Sequence, residues 1–194
     1  MKDQAPRTML NDQTLFLDRD GVLNERPGEG YVTTVGDFHW LAGSLESLVK
    51  LADRFRYIIV VSNQQGIGKG LMDHEAVETI HKQMIQDVER AGGRIDLVLY
   101  AGGLRHSDSF RRKPGPGMAL EARNRFPDIR FDHSYMVGDT FRDMLFGYRL
   151  GMQTALVSHK QELPAQYEYL ADFRFASLND FTNFIINSCS YIYY

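Results

Sequence analysis

Strand-like and helix-like patterns alternate along most of this chain, and this alternation limits the possible folds more than any single motif does. The run 57–61 is continuous, apolar and rich in β-branched residues, as expected of a strand covered on both faces. Ser44 opens a helical stripe that runs to Phe55, and Asp73 is the predicted N-cap of a helix that stops at Gly92. Further predicted elements are strands at 14–17, 95–100, 135–137, 153–157 and 173–175, helices at about 117–126 and 141–150, and a last helix after Ser177 and Asp180. The alternation predicts an α/β fold with a doubly wound, mainly parallel, Rossmann-like sheet.

Composition bounds the class of protein. The chain has 194 residues, of which 43% are hydrophobic and 24% charged, and its net charge of −3 gives no basic surface for nucleic acid. Cys189 is the only cysteine, so neither an intrachain disulfide nor a cysteine-rich metal site is expected. The sequence shows no apolar signal segment or membrane span, so we expect a cytoplasmic protein, and we favour a monomer. We expect an N-terminal arm at 1–13, one domain at 14–187 and a C-terminal tail at 188–194.

Two carboxylates follow the first predicted strand. Asp18 and Asp20 are two residues apart, so on an extended chain they point to the same side. Two close carboxylates repel each other unless a cation lies between them or one of them is protonated. The alternative is that the Asp20-Gly21 pair only begins a tight turn with both side chains in solvent.

Other polar residues also follow predicted strands, and in a parallel sheet such residues meet at one edge. They are Ser62 and Asn63 after one strand and Asp139 after another, while Lys113 precedes a helix. Each has an ordinary structural explanation, but together they form a candidate active site. Asp18 and Asp139 are suitable oxygen ligands for a divalent cation such as Mg²⁺.

This set of residues is suited to phosphoryl transfer. Asp18 would attack phosphorus and form an aspartyl-phosphate, while Lys113 and the Ser62 hydroxyl stabilise charge on the phosphate oxygens. Asp20 would protonate the leaving oxygen and later take a proton from the hydrolytic water. The predicted activity is therefore that of a Mg²⁺-dependent phosphomonoester hydrolase.

The glycine-rich segment 64–71 is predicted to be a loop. It lacks the Ser or Thr that a Walker A motif needs directly after its lysine, at the position of Gly70. It also fails the dinucleotide fingerprint. Lys69 is predicted to contact substrate, and the alternative is a flexible connection.

The motifs at 18–22, 62–64, 112–114 and 138–143 resemble those of phosphatases of the haloacid dehalogenase superfamily, over about residues 14–187. With the Gly30-Tyr31-Val32 segment, they are similar to the branch that contains D-glycero-D-manno-heptose 1,7-bisphosphate phosphatases and histidinol-phosphate phosphatases, and the heptose members are favoured. The resemblance implies a small sugar phosphate as substrate and removal of the 7-phosphate.

The resemblance also implies roles for individual residues. Mg²⁺ would be bound by Asp18, the Asp20 carbonyl and Asp139. Further residues are implied as substrate contacts or as supports of the site; the contacts are Asn63, Lys69 and Arg112, and the supports are Gly138 and Asp143.

One segment departs from that branch. Many members hold a structural zinc on a Cys/His loop before the Arg-Lys-Pro motif, but the equivalent segment 101–111 has no cysteine. No zinc is therefore expected, and His106 is interpreted as an ordinary loop residue. No segment is long enough for a separate cap domain. The remaining alternatives are a nucleic-acid 3′-phosphatase and a non-catalytic phosphosugar-binding protein.

Overall fold

The computed structural model describes residues 12–28, 30–106, 110–158 and 163–188, which form a six-stranded sheet between two layers of helices. The strands are β1 (Thr14–Leu17), β2 (Tyr57–Asn63), β3 (Leu97–Ala101), β4 (Ser134–Gly138), β5 (Gln153–Val157) and β6 (Phe173–Phe175). The α-helices are α1 (Ser44–Leu51), α2 (Gln65–Gly68), α3 (His74–Arg90), α4 (Gly117–Arg125), α5 (Phe141–Leu150) and α6 (Leu178–Ser188). The connections contain short 3-10 helices at Val35–Asp37, Phe131–His133 and Ala165–Leu170.

The strand order is β3-β2-β1-β4-β5-β6, and every neighbouring pair is parallel. The chain moves outward from β1 to β2 and β3, and then returns to place β4 on the other side of β1. The direction of winding therefore reverses between β1 and β4. In open parallel sheets, ligands bind beyond the carboxyl ends of the strands at such a reversal.

Both faces of the sheet are covered by apolar side chains, which confirms the doubly wound prediction. On β1, Leu15 and Leu17 pack with residues of α1, α3 and α6 on one face. Phe16 points to the other face and packs with residues of α4 and α5. Burial on both sides explains why the central strands are continuously apolar.

Three local details differ from the sequence predictions. The segment predicted as a glycine loop contains α2, whose single turn is closed by a 3.1 Å hydrogen bond from the Lys69 amide to the Gln65 carbonyl. The α1 helix ends at Leu51, although Phe55 beyond it is still buried. Strand β3 begins after Asp96, because the Asp96 carboxylate accepts a 2.7 Å hydrogen bond from the amide of Ile58 on β2.

The predicted arm and tail lie almost entirely outside the described residues, so the domain limits stay predictions. Within the described ranges, the helices are all too short or too polar to span a lipid bilayer.

Candidate active site

Asp18 lies at the carboxyl end of β1, in the centre of the sheet. Its amide donates a 2.9 Å hydrogen bond to the Val137 carbonyl, so the β1–β4 ladder continues one residue beyond the strand. Its side chain accepts from the Arg19 amide at 2.8 Å and lies 2.9 Å from the Lys113 ammonium group. The carboxylate is thus held in a fixed orientation at the reversal point of the sheet.

Lys113 is a fully buried cation with acidic partners. Its Nζ lies 2.9 Å from Asp18 and 2.6 Å from Asp143, and it donates to the Val61 carbonyl at 2.6 Å. Burial would lower the pKa of Lys113, but the charges of Asp143 and Asp18 outweigh it and raise the pKa. The ammonium group therefore stays charged beside the candidate nucleophile.

Asp143 has two structural functions. One carboxylate oxygen pairs with Lys113, while the other accepts hydrogen bonds from the amide and hydroxyl of Thr140 and so caps α5. Its approach to the sheet requires Gly138, because a Cβ there would lie 2.2 Å from the Cβ of Asp143. The structure thus brings both predicted supporting residues to the site.

Asp139 completes a cluster of buried carboxylates. Asp18, Asp139 and Asp143 each place an oxygen within 4.8 Å of the others. Burial, followed by the charge of Asp18, raises the pKa of Asp139 to about 8. Burial and the charge of Asp143 raise the pKa of Asp18 to about 6. Such a cluster binds a divalent cation favourably, because the cation offsets both the burial of negative charge and the mutual repulsion that raise these pKa values.

The Arg26 guanidinium already supplies positive charge to this cluster. It donates to the Asp139 carboxylate at 3.1 Å and to the Asp20 carbonyl at 3.0 Å. These are two of the groups that the family resemblance assigns to magnesium. Arg26 was not predicted from the sequence, because an arginine six residues beyond Asp20 belongs to no recognisable spacing.

Gly21 allows Asp139 to come close to the loop after β1. Its φ is +92°, and a Cβ at this position would lie 2.2 Å from an Asp139 carboxylate oxygen. The glycine of the Asp-Gly pair is therefore required both by its backbone conformation and by a close contact.

Asp20 lies in the same crevice as Asp18, as the spacing predicted. Its Oδ1 accepts hydrogen bonds from Arg19 and Asn24, and its Oδ2 accepts one of 2.8 Å from Gln64 Nε2. Burial would raise the pKa of Asp20, but the charge and hydrogen bonds of Arg19 outweigh it and lower the pKa. Asp20 is therefore ionised in the free protein at neutral pH.

Ser62 and Asn63, at the end of β2, both line the crevice but have different hydrogen-bond partners. Ser62 lines the crevice, and its hydroxyl accepts a 2.7 Å hydrogen bond from Gln64. Asn63 also lines the crevice, but its amide group is hydrogen-bonded to the backbone N–H and carbonyl of Lys113. Asn63 therefore positions the Lys113 loop, which the sequence did not reveal.

The crevice has a volume of about 230 Å³, and arginines are among the residues that line it. Arg112, a predicted substrate contact, lines it together with Arg26 and Arg142. Lys69 lies outside this lining, with its ammonium group 5.2 Å from the centre of the Tyr31 ring. The structure thus brings Arg112 to the site directly and Lys69 only next to a lining residue.

Part of the segment that departs from the zinc-binding branch lies outside the described residues, which omit 107–109. Among the described residues, the group able to hold a metal ion is the carboxylate cluster. His106 does not belong to that cluster.

The sheet order and the polar and charged groups at the carboxyl ends of β1, β2 and β4 define a hydrolase of the haloacid dehalogenase type. The model of the HAD-hydrolase-like family matches residues 110–181. The D-glycero-alpha-D-manno-heptose-1,7-bisphosphate 7-phosphatase of Mycobacterium tuberculosis is 35% identical over 86% of this chain and 88% of the relative. The chain therefore belongs to the D-glycero-D-manno-heptose-1,7-bisphosphate 7-phosphatase family, and it is a phosphatase.

Further similarities agree with this assignment. The D-glycero-beta-D-manno-heptose-1,7-bisphosphate 7-phosphatase of Vibrio cholerae is 31% identical over 89% of this chain and 95% of the relative. The crystal structure of a D,D-heptose 1,7-bisphosphate phosphatase from B. bronchiseptica, complexed with magnesium and phosphate, has a TM-score of 0.80 at 24% identity, covering 91% of this chain and 99% of that chain. A HAD-like phosphatase from Mesorhizobium loti has a TM-score of 0.74 at 26% identity, with coverages of 90% and 86%. The predicted fold and superfamily are thus confirmed.

Proposed function

We propose that this phosphatase removes the 7-phosphate of D-glycero-D-manno-heptose 1,7-bisphosphate. The observation that carries the proposal is the meeting of Asp18, Asp20, Lys113 and Asp139 beyond the carboxyl ends of the central strands. The activity named for the relatives supports the choice of substrate. The arginines that line the crevice support it further, since a bisphosphate carries negative charge at both ends.

In the proposed mechanism, Asp18 attacks the phosphorus of the substrate. A P–O bond forms to the carboxylate while the bond to the sugar oxygen breaks, giving an aspartyl-phosphate and an alkoxide that must be protonated. Lys113, 2.9 Å from Asp18, and the Ser62 hydroxyl, which lines the same crevice, would stabilise charge on the transferred group. Water then attacks phosphorus, releases phosphate and regenerates Asp18.

Asp20 is the proposed source and acceptor of the proton in these two steps. It is ionised in the free protein, so it must gain a proton before it can act as an acid. A bound phosphate supplies the condition for this, because its negative charge raises the pKa of a neighbouring carboxyl. The same carboxylate can then accept a proton from the attacking water.

The carboxylate cluster fits a magnesium ion. Asp18, Asp139 and the Asp20 carbonyl are oxygen groups of the kind that Mg²⁺ prefers. Burial, together with neighbouring negative charge, raises the pKa of the Asp18 and Asp139 carboxyl groups. When bound, the ion would neutralise the carboxylates and polarise phosphate oxygens. Zinc is not part of the proposal.

Protons and Mg²⁺ should compete for this cluster. Asp139, with a pKa of about 8, must lose its proton to bind the ion. Lowering the pH from about 8 to about 6 is therefore expected to weaken Mg²⁺ binding by about 10- to 100-fold. Isothermal titration calorimetry of Mg²⁺ binding at both pH values, in buffers of different ionisation enthalpy, measures the affinity and the proton released. The same affinity at both pH values, without proton release, would contradict this prediction.

The function is tested by measuring phosphate release with Mg²⁺ as the only added metal and with EDTA as a control. The substrates are both anomers of the heptose bisphosphate, histidinol phosphate, other sugar phosphates and a 3′-phosphorylated oligonucleotide. We expect the highest kcat/KM for one heptose bisphosphate anomer and no turnover in EDTA. A preference for histidinol phosphate or the oligonucleotide would be compatible with the proposed mechanism but would contradict the proposed substrate.

A further inference from the structure

A buried arginine lies behind the candidate acid/base. Arg19 is completely buried, and its Nε and Nη2 donate to Asp20 Oδ1 at 3.1 and 2.7 Å. A buried charge is tolerated when it is paired and its donors are satisfied. Asp20 satisfies only one side of the guanidinium, because Nη1 points away from this carboxylate toward α3.

His81 on α3 is the partner of that remaining nitrogen. Its Nε2 lies 3.1 Å from Arg19 Nη1, and the His81 residue is buried, with a relative exposure of 5%. Arginine can only donate, so Nε2 must accept and the imidazole must be neutral with its proton on Nδ1. The low pKa of His81, about 3, agrees with this and results from burial and from the charge of Arg19.

His81 is itself fixed by the layer behind it. Its ring makes an edge contact with Tyr100 on β3, at 5.5 Å between centroids. The Tyr100 hydroxyl is 3.0 Å from His74 Nδ1 and donates to Glu78 at 3.2 Å, both on α3. The position of the Arg19 fork is therefore set by the packing of α3 on the sheet.

We propose that His81, acting through Arg19, is a positioning residue for proton transfer by Asp20. Two contacts at opposite ends of the guanidinium prevent it from rotating in its plane, and Asp20 is bonded to the end that faces the crevice. Loss of the His81 acceptor leaves one donor unsatisfied and allows the fork and Asp20 to shift together. The inference rests on the proposed function, in which Asp20 is the acid.

The test compares substrates whose leaving groups differ in their need for an acid. A sugar phosphate releases a strongly basic alkoxide, whereas 4-nitrophenyl phosphate releases a stable phenolate without protonation. For His81→Leu, we expect the ratio of kcat/KM for the sugar phosphate to kcat/KM for the aryl phosphate to fall by at least about tenfold. His81→Gln, whose amide oxygen can accept from Arg19, should restore the ratio to within about threefold of wild type.

Tyr100→Phe is the matched control and should leave the ratio unchanged. It keeps the ring against His81 and removes only the hydroxyl contacts with His74 and Glu78. If His81→Leu does not fold, His81→Phe decides, since phenylalanine keeps an aromatic ring on α3 but offers no acceptor to Arg19; the same fall in the ratio is expected. An unchanged ratio, or an equal loss on both substrates, would overturn the inference and assign His81 a structural role only. Wild-type protein inactive on both substrates would instead reject the proposed function.

Discussion

Replacing Asp18 by asparagine is expected to reduce phosphate release by at least about ten-thousandfold, because the amide cannot form the aspartyl-phosphate. Asparagine has nearly the same shape, so the hydrogen bond from the Arg19 amide can be kept. Lys113 also retains its pairing with Asp143. The fold should therefore survive while turnover is lost.

The stability of this variant has a predicted sign. Burial raises the pKa of Asp18 from 3.8 to about 6, so ionising it lowers the free energy of unfolding of the wild type between about pH 4 and pH 6. Asparagine does not ionise, so the variant avoids this decrease in the free energy of unfolding. At about pH 8 without Mg²⁺, Asp18→Asn should be at least as stable as wild type in a denaturant titration.

An exposed aspartate provides the control for these measurements. Asp53 lies at the surface beyond α1, and Asp53→Asn should leave both activity and stability unchanged. Turnover by Asp18→Asn above about one thousandth of the wild-type rate would exclude Asp18 as the nucleophile. Loss of folding would show that the carboxylate supports the structure as well.

The sequence predicted the sheet and the strand-end residues because both depend on local patterns. Continuous apolar strands followed by Asp18, Ser62 and Asp139 indicate a parallel sheet, whose topology then brings these residues together. The Asp73 N-cap was predicted on the same local basis, and its side chain accepts from the Ala76 amide at 2.8 Å. Such predictions need only neighbouring residues and the order of the elements.

The interactions that adjust the site could not be predicted in this way. The contact of Arg26 with Asp139 spans 113 positions, and that of Arg19 with His81 spans 62. A histidine on the buried stripe of α3 looks like any core residue until the three-dimensional structure places a guanidinium beside it. The glycine segment was predicted wrongly because α2 depends on Gly68, whose amide donates to the Gly102 carbonyl in the loop after β3 at 2.9 Å.

Replacing Lys113 by methionine is expected to abolish activity and to lower the free energy of unfolding by about 3–5 kcal/mol. Methionine fills a similar volume but removes the cation that Asp18 and Asp143 share at 2.9 and 2.6 Å. Both carboxylates would then be buried without their cation. Unfolding in urea and phosphate release measure the two effects.

A second substitution separates the structural effect of the ion pair from its chemical effect. In Lys113→Met with Asp143→Asn, one buried carboxylate is removed along with the cation, while an asparagine side chain can still accept from Thr140 and cap α5. We expect the double variant to recover at least about 1 kcal/mol of the lost free energy of unfolding. It should remain inactive, because the positive charge beside Asp18 is still missing. Recovered activity would show that Lys113 serves only to neutralise Asp143, whereas recovered stability without activity assigns it to stabilising the transferred phosphate.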